Sequence, residues 1–112
     1  MAAKTLDPQL LELIAERFRA LGEPVRLRIL DELRGGERTV SQLVEATGLG
    51  QANVSKHLQH LHSLHFVERR KEGLYVYYQL AGDHVFHLCD LMCGRLEDEV
   101  EAQRRVVSGG GG

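Results

Sequence analysis

Between residues 39 and 80, TVSQLVEATGLGQANVSKHLQHLHSLHFVERRKEGLYVYYQL, the apolar period changes from that of a helix to that of a strand, and this constrains the fold more than any other feature. Thr39-x-x-Gln42 is a capping box, in which each side chain satisfies a backbone N–H of the first turn. Val40, Leu43, Val44 and Thr47 then share a helical face, and Gly48 can take the left-handed conformation that ends a helix. After Leu49-Gly50 a second helix is predicted from Gln51 to Leu64, with Val54, Leu58, Leu61 and Leu64 on one stripe. Gln51, Asn53, Ser55, Lys56, His57 and His60 project from its other side. From Val67 to Arg70 the pattern is that of a strand, Glu72-Gly73 supply a turn, and Leu74, Val76 and Tyr78 alternate with Tyr75, Tyr77 and Gln79.

Two short helices about a tight turn, followed by a β-hairpin, suit the insertion of one helix into a DNA groove. Polar side chains on the exposed face of the second helix reach phosphates and base edges together. Arg69, Arg70 and Lys71, just before the hairpin tip, can set positive charge against the DNA backbone. A basic run by itself reads more simply as solvated surface. Beside such a helix pair it gains a functional sense.

The flanking segments read as helices. Asp7-Pro8 is a start signal, and Leu10, Leu11, Leu13, Ile14 and Phe18 make a helix apolar around much of its circumference. One side of it suits the chain's own core and the other a second subunit. A further helix is expected from Pro24 to about Leu33, with Arg26, Arg28 and Arg34 outward and Gly35-Gly36 as its end. From Asp83 to about Val106 a last helix carries Val85, Phe86, Leu88, Cys89, Met92, Cys93, Leu96 and Val100. That stripe is too wide for an unpartnered tail, and it joins the first helix in a predicted dimer interface.

The segments FRALGEPVRLRIL at 18–30, GQANVSKHLQHL at 50–61 and VERRKEGLYVYYQL at 67–80 resemble the ArsR/SmtB family, over roughly residues 15 to 95. The resemblance implies a mostly α, α+β winged helix-turn-helix of about five helices and one β-hairpin. It also implies a homodimeric, cytoplasmic transcriptional repressor that leaves double-stranded operator DNA when an inducer binds or cysteines are oxidised. On this reading residues 1–107 form one domain, with the helix-turn-helix at 39–65, the wing at 66–80 and dimerisation helices at 6–20 and 83–106. Residues 108–112 form a flexible Gly-rich tail. DNA binding needs no cofactor, and the operator is an inverted repeat matching recognition helices about 34 Å apart.

Charge and size agree with this expectation. A chain of 112 residues holds a single core and gains from burying more surface in a dimer. The net charge of −2 conceals a polarity, since residues 51–71 carry +3 and residues 83–101 carry −5. The basic stretch suits phosphate; the acidic one suits water, a partner subunit or a cation. No run of about 18 apolar residues suggests a membrane span, and MAAKTLDPQ lacks an apolar signal core, hence the cytoplasmic expectation. With no Cys-x-x-Cys, no Gly-rich phosphate loop and no nucleophile with a base and orienter, the chain is not expected to be an enzyme.

Cys89 and Cys93 are the only cysteines and lie one helical turn apart. They read as two buried hydrophobes, as half of a site for a thiophilic ion, or as a redox switch. An internal disulfide would strain the helix, so arsenite or Cd(II) is preferred as effector over oxidation. His84, His87 and Asp90 are additional candidate ligands, with Zn(II) a further candidate ion. An effector-independent DNA-binding or protein-interaction module is the alternative of another class. Known family sites do not transfer. Thr39-Val40-Ser41-Gln42 stands where arsenite-sensing members carry cysteines, and Asp31 stands at the helix position of a redox cysteine. Of the four ligands of the zinc-sensing members, the last helix retains two. Gly50 and His65 also replace the usual Ser cap and terminal Gly of the recognition helix.

Overall fold

The computed structural model describes residues 5–110, with side chains described through residue 105. The chain forms two compact units divided between Ala81 and Gly82.

The first unit begins with α1 (Pro8–Leu21), whose N-cap Asp7 accepts the Leu10 N–H at 2.8 Å, as the Asp-Pro signal predicts. Next come α2 (Pro24–Glu32) and one 3₁₀ turn (Leu33–Gly35) ending at Gly36, which has φ 129°. Strand β1 is only Arg38–Thr39. Its two residues carry no alternation of their own; pairing with Tyr78 and Tyr77 at a sheet edge makes them a strand, so the sequence does not reveal them. Helix α3 (Val40–Thr47) opens with the Thr39/Gln42 capping box, both hydrogen bonds formed, and closes on Gly48 at φ 73°.

Helix α4 (Gln51–Ser63) follows directly after Gly48-Leu49-Gly50 turns the chain, and its stripe of Val54, Leu58, Leu61 and the capping Leu64 is buried. The hairpin is β2 (Val67–Glu72) and β3 (Tyr75–Leu80), antiparallel with Val67 opposite Leu80 and Glu72 opposite Tyr75, in the sheet order β1-β3-β2. Gly73, at φ 60°, takes the first of the two turn positions, where a hairpin of this length demands positive φ. Leu74 was expected to lie in the strand after a Glu72-Gly73 turn, on the same side as Val76 and Tyr78. Instead it is the second turn residue and 98% exposed, because β3 starts only at Tyr75.

Ile29, Leu30 and Leu33 meet Leu43, Val54, Leu58, Leu61, Val67 and Tyr78 in the core of this unit. Thr47 is the buried polar residue there, and its hydroxyl is satisfied, donating to Leu43 O at 2.7 Å and accepting the Leu49 N–H. The second unit is α5 (His84–Gly110), which begins where Asp83 O accepts the Phe86 and His87 N–H groups. It continues past the end expected near residue 106 and takes in the first residues of the expected tail, while residues 111 and 112 lie outside the described residues. Val85 and Phe86 are its buried side chains; Leu88, Leu91, Met92, Leu96 and Val100 are exposed.

Candidate nucleic-acid interface

Helix α4 separates its two sides sharply. Val54, Leu58 and Leu61 are fully buried, so rotation about the helix axis is fixed and the opposite face has one orientation. That face exposes Gln51, Asn53, Lys56 and His60, with Ser55 and His57 half-buried at its margins. These are the six residues the sequence singles out on this helix, and the fold brings them onto one surface. Donors and acceptors of several kinds occur within about two and a half turns, which base-edge reading requires.

The two ends of α4 are held differently. No side chain caps the N-terminus at Gly50, where the backbone is extended. At the C-terminus the Phe66 N–H reaches Leu61 O and the His65 N–H reaches His62 O, the paired bonds of a Schellman motif. Its left-handed position falls on His65, at φ 64°, the one non-glycine with positive φ among the described residues. A side chain there is strained by about 1 kcal/mol relative to glycine. Buried Leu61 and Phe66 hold the motif from the core side.

Helix α2 supports α4 through a bond that helical spacing does not predict. Arg26 was expected outward, but its Nε–H donates to His57 Nδ1 at 3.2 Å and its Nη1 donates to Ala20 O at 3.2 Å. Part of its stem is covered, so the guanidinium lies between helices. Burial and the Arg26 cation push the His57 imidazole below its ordinary pKa, partly opposed by Glu23. Arg28 conforms better to expectation, being exposed while donating to Ala46 O in the last turn of α3.

In the wing the three basic residues part company. Arg70 grips Glu37 with two bonds, from Nη2 at 2.6 Å and from Nε at 3.3 Å, pairs with Glu72, and lies 4.7 Å from the centre of the Tyr77 ring. The Glu37 and Glu72 carboxylates favour its charged form further. Its charge is therefore compensated within the chain, and it ties β2 to the segment before β1. Arg69 and Lys71 are exposed on the opposite face of β2, opposite Tyr78 and Val76. Glu37, 33 residues from Arg70, had no sequence signal.

The cysteines lie in the other unit. Both are free thiols, Cys89 half-buried and Cys93 exposed. The Cys93 Sγ–H donates to Glu97 Oε1 at 3.4 Å, and this bond with the Glu97 charge raises the thiol pKa. His87 lies 3.3 Å from Asp83, four residues back. Among the described residues no three His, Cys, Asp or Glu side chains are grouped to hold a metal ion, so Cys89, Cys93, His84, His87 and Asp90 do not make a complete site within one chain. No described helix is long and apolar enough to cross a membrane.

Comparison with known proteins bears on the same residues. The model of bacterial regulatory proteins of the arsR family matches residues 23–69, from the cap of α2 into β2. The chain is similar to the HTH-type transcriptional regulator Rv0324 of Mycobacterium tuberculosis, 42% identical over 83 residues, which are 74% of this chain and 37% of that protein. It is 38% identical over 80 residues to the HTH-type transcriptional repressor SmtB of the same species (strain CDC 1551 / Oshkosh), covering 71% of this chain and 59% of the repressor. The chain thus spans less than two thirds of the length of these two relatives. Its fold matches the homodimeric winged helix-turn-helix DNA-binding domain Mb0332 of Mycobacterium bovis, with TM-score 0.72 and 38% identity over 88% of this chain and 92% of that one.

Proposed function

The chain belongs to the arsR family of bacterial regulatory proteins, and from that membership we propose that it is a homodimeric repressor that binds double-stranded operator DNA. The observation that carries the proposal is the face of α4, where Gln51, Asn53, Lys56 and His60 are free to enter a major groove while the opposite side is locked in the core. Ser55 and His57 flank this contact, and Arg69 and Lys71 supply wing charge. Arg70 contributes chiefly by holding the wing.

The second copy is proposed to pair through the apolar faces that one chain leaves uncovered. On α1 these include Leu11, Leu13 and Phe18; on α5 they include Leu91, Met92, Leu96 and Val100. The homodimeric state of the similar Mb0332 domain supports this pairing. Two α4 helices one DNA turn apart would then read an inverted repeat. A repressor of this kind acts in the cytoplasm, and neither membrane nor catalysis has a part in the proposal.

Fluorescence anisotropy with the DNA directly upstream of the chain's own coding sequence tests the reading. Binding that weakens steeply with salt and is outcompeted by that duplex but not by unrelated DNA is expected. No binding at low salt would sink it.

A finer reading concerns release. Two free thiols one turn apart on α5 support sensing of a thiophilic ion there, arsenite or Cd(II), with Cys89 and Cys93 as ligands. One chain does not complete the donor set, so the remaining ligands would come from a second copy. A 10- to 100-fold loss of DNA affinity on ion binding would correspond to roughly 1.4 to 2.8 kcal/mol of coupling. Titrating arsenite, Cd(II) and Zn(II) into the reduced protein–DNA complex, with Cys89→Ser alongside, tests this. Release by oxidant alone would instead favour a thiol redox switch.

A further inference from the structure

We propose that Arg26 is a positioning residue for DNA recognition, whose Nε–H holds the His57 imidazole as its Nε2–H tautomer and so fixes one directed hydrogen-bond donor at the edge of the α4 face. The inference rests on the DNA-binding reading above. Its structural basis is separate. Arg26 spans two acceptors, Ala20 O at the end of α1 and His57 Nδ1 on α4, both at 3.2 Å, so its guanidinium is held from two sides. A guanidinium offers donors only, and the nitrogen it addresses must therefore be the unprotonated one. A neutral imidazole that accepts at Nδ1 carries its proton at Nε2, on the ring edge turned away from α2. No described residue bonds that nitrogen, and His57 is half-exposed.

Burial first, and then the charged surroundings, disfavour protonation of the ring. From α2 come the Arg26 cation and, more weakly opposing it, Glu23 at the helix cap; from α4 itself come Lys56 and His60, both of which disfavour a further positive charge. Protonation of Nδ1 would also break the Arg26 bond. Folded His57 thus binds its proton less readily than an unfolded histidine. The stability this contributes is fully present above the ordinary histidine pKa of about 6.5 and is lost as pH falls below it and through the lower folded value. A donor made this way keeps a fixed direction. Lys56, a mobile point charge, offers no such direction.

The test has a part without DNA and a part with it. Long-range ¹⁵N–¹H correlation spectra of the free protein near pH 7.5 should show His57 as the Nε2–H tautomer; an Nδ1–H form or an averaged mixture overturns the proposal. Anisotropy with the upstream duplex is then measured at pH 7.5 and 5.5 for the wild type, Arg26→Met, His57→Gln and the double variant. Arg26→Met should weaken binding about fivefold at pH 7.5, the effect of one misdirected hydrogen bond. It should weaken binding less at pH 5.5, where the released imidazole gains a charge. Both differences should vanish in the His57→Gln background. An equal loss in that background would show that Arg26 acts through the fold alone and would overturn the proposal. Should Arg26→Met not fold, Arg26→Lys keeps the charge without the aimed Nε–H and should show the same tautomer mixing. Absence of any DNA binding would defeat the DNA-binding reading, and the positioning role with it, whatever the free-protein spectrum gives for the tautomer.

Discussion

Helices α4 and α5 carry similar apolar stripes in sequence and end in opposite circumstances. Val54, Leu58 and Leu61 of α4 are buried by α2, α3 and the hairpin of the same chain, whereas Leu91, Met92, Leu96 and Val100 of α5 remain open to solvent. An i, i+3, i+4 pattern states that a helix has a face to cover; it does not state who covers it. Within α4 the chain itself supplies the cover, and the polar face gains a fixed direction. For α5 the proposed cover is a second copy.

The contrast can be broken most directly by truncating each stripe. Leu58→Ala should cost about 2–5 kcal/mol in urea or thermal unfolding, because a fully buried leucine leaves a cavity among side chains that cannot all collapse onto it. Leu96→Glu should leave the far-ultraviolet circular dichroism close to wild type but weaken dimerisation by about 100-fold or more in sedimentation velocity, since two carboxylates would enter an apolar contact. A Leu96→Glu protein that stays dimeric would remove α5 from the interface.

Smaller changes sharpen the same distinction within the first unit. Lys71→Met should lower the salt slope of DNA binding by about 1, the signature of a lost phosphate contact. Arg70→Met should change the slope less and disturb the hairpin more, because Arg70 already spends its bonds on Glu37 and Glu72. Equal slopes for the two variants would mean that the ion pairs open on DNA. His65→Gly should stabilise the chain by about 1 kcal/mol in thermal unfolding, since glycine takes φ 64° without strain. On α5, Glu97→Gln should speed alkylation of Cys93 severalfold at neutral pH and shift its pH profile downward. The carboxylate now holds the thiol in its protonated form, and its removal lowers the pKa.

Much of this was legible because the signals were local. The Asp7-Pro8 start, the Thr39/Gln42 box, Gly48 and the α4 stripe each act within a few residues, and each stands where the pattern put it. The family resemblance likewise lies in contiguous motifs. What stayed hidden depends on residues far apart in sequence. Arg26 looks like a solvent-facing arginine until α4 brings His57 to it, Arg70 like a free cation until Glu37 arrives across 33 residues, and β1 like a loop until β3 pairs with it. Leu74 was misplaced for a local reason, since a two-residue turn at Gly73-Leu74 delays the strand by one residue. The effector is illegible on a third ground. Among the described residues no three His, Cys, Asp or Glu side chains are grouped to hold a metal ion, so neither spacing nor the fold of a single copy identifies it.

Sedimentation equilibrium of the chain with its upstream duplex, in reducing buffer at low salt, tests the central claim most directly. The account predicts two chains per duplex, with the complex dissociating as salt is raised. One chain per duplex would contradict the dimer built on α1 and α5, and no complex at any salt would contradict the role assigned to α4.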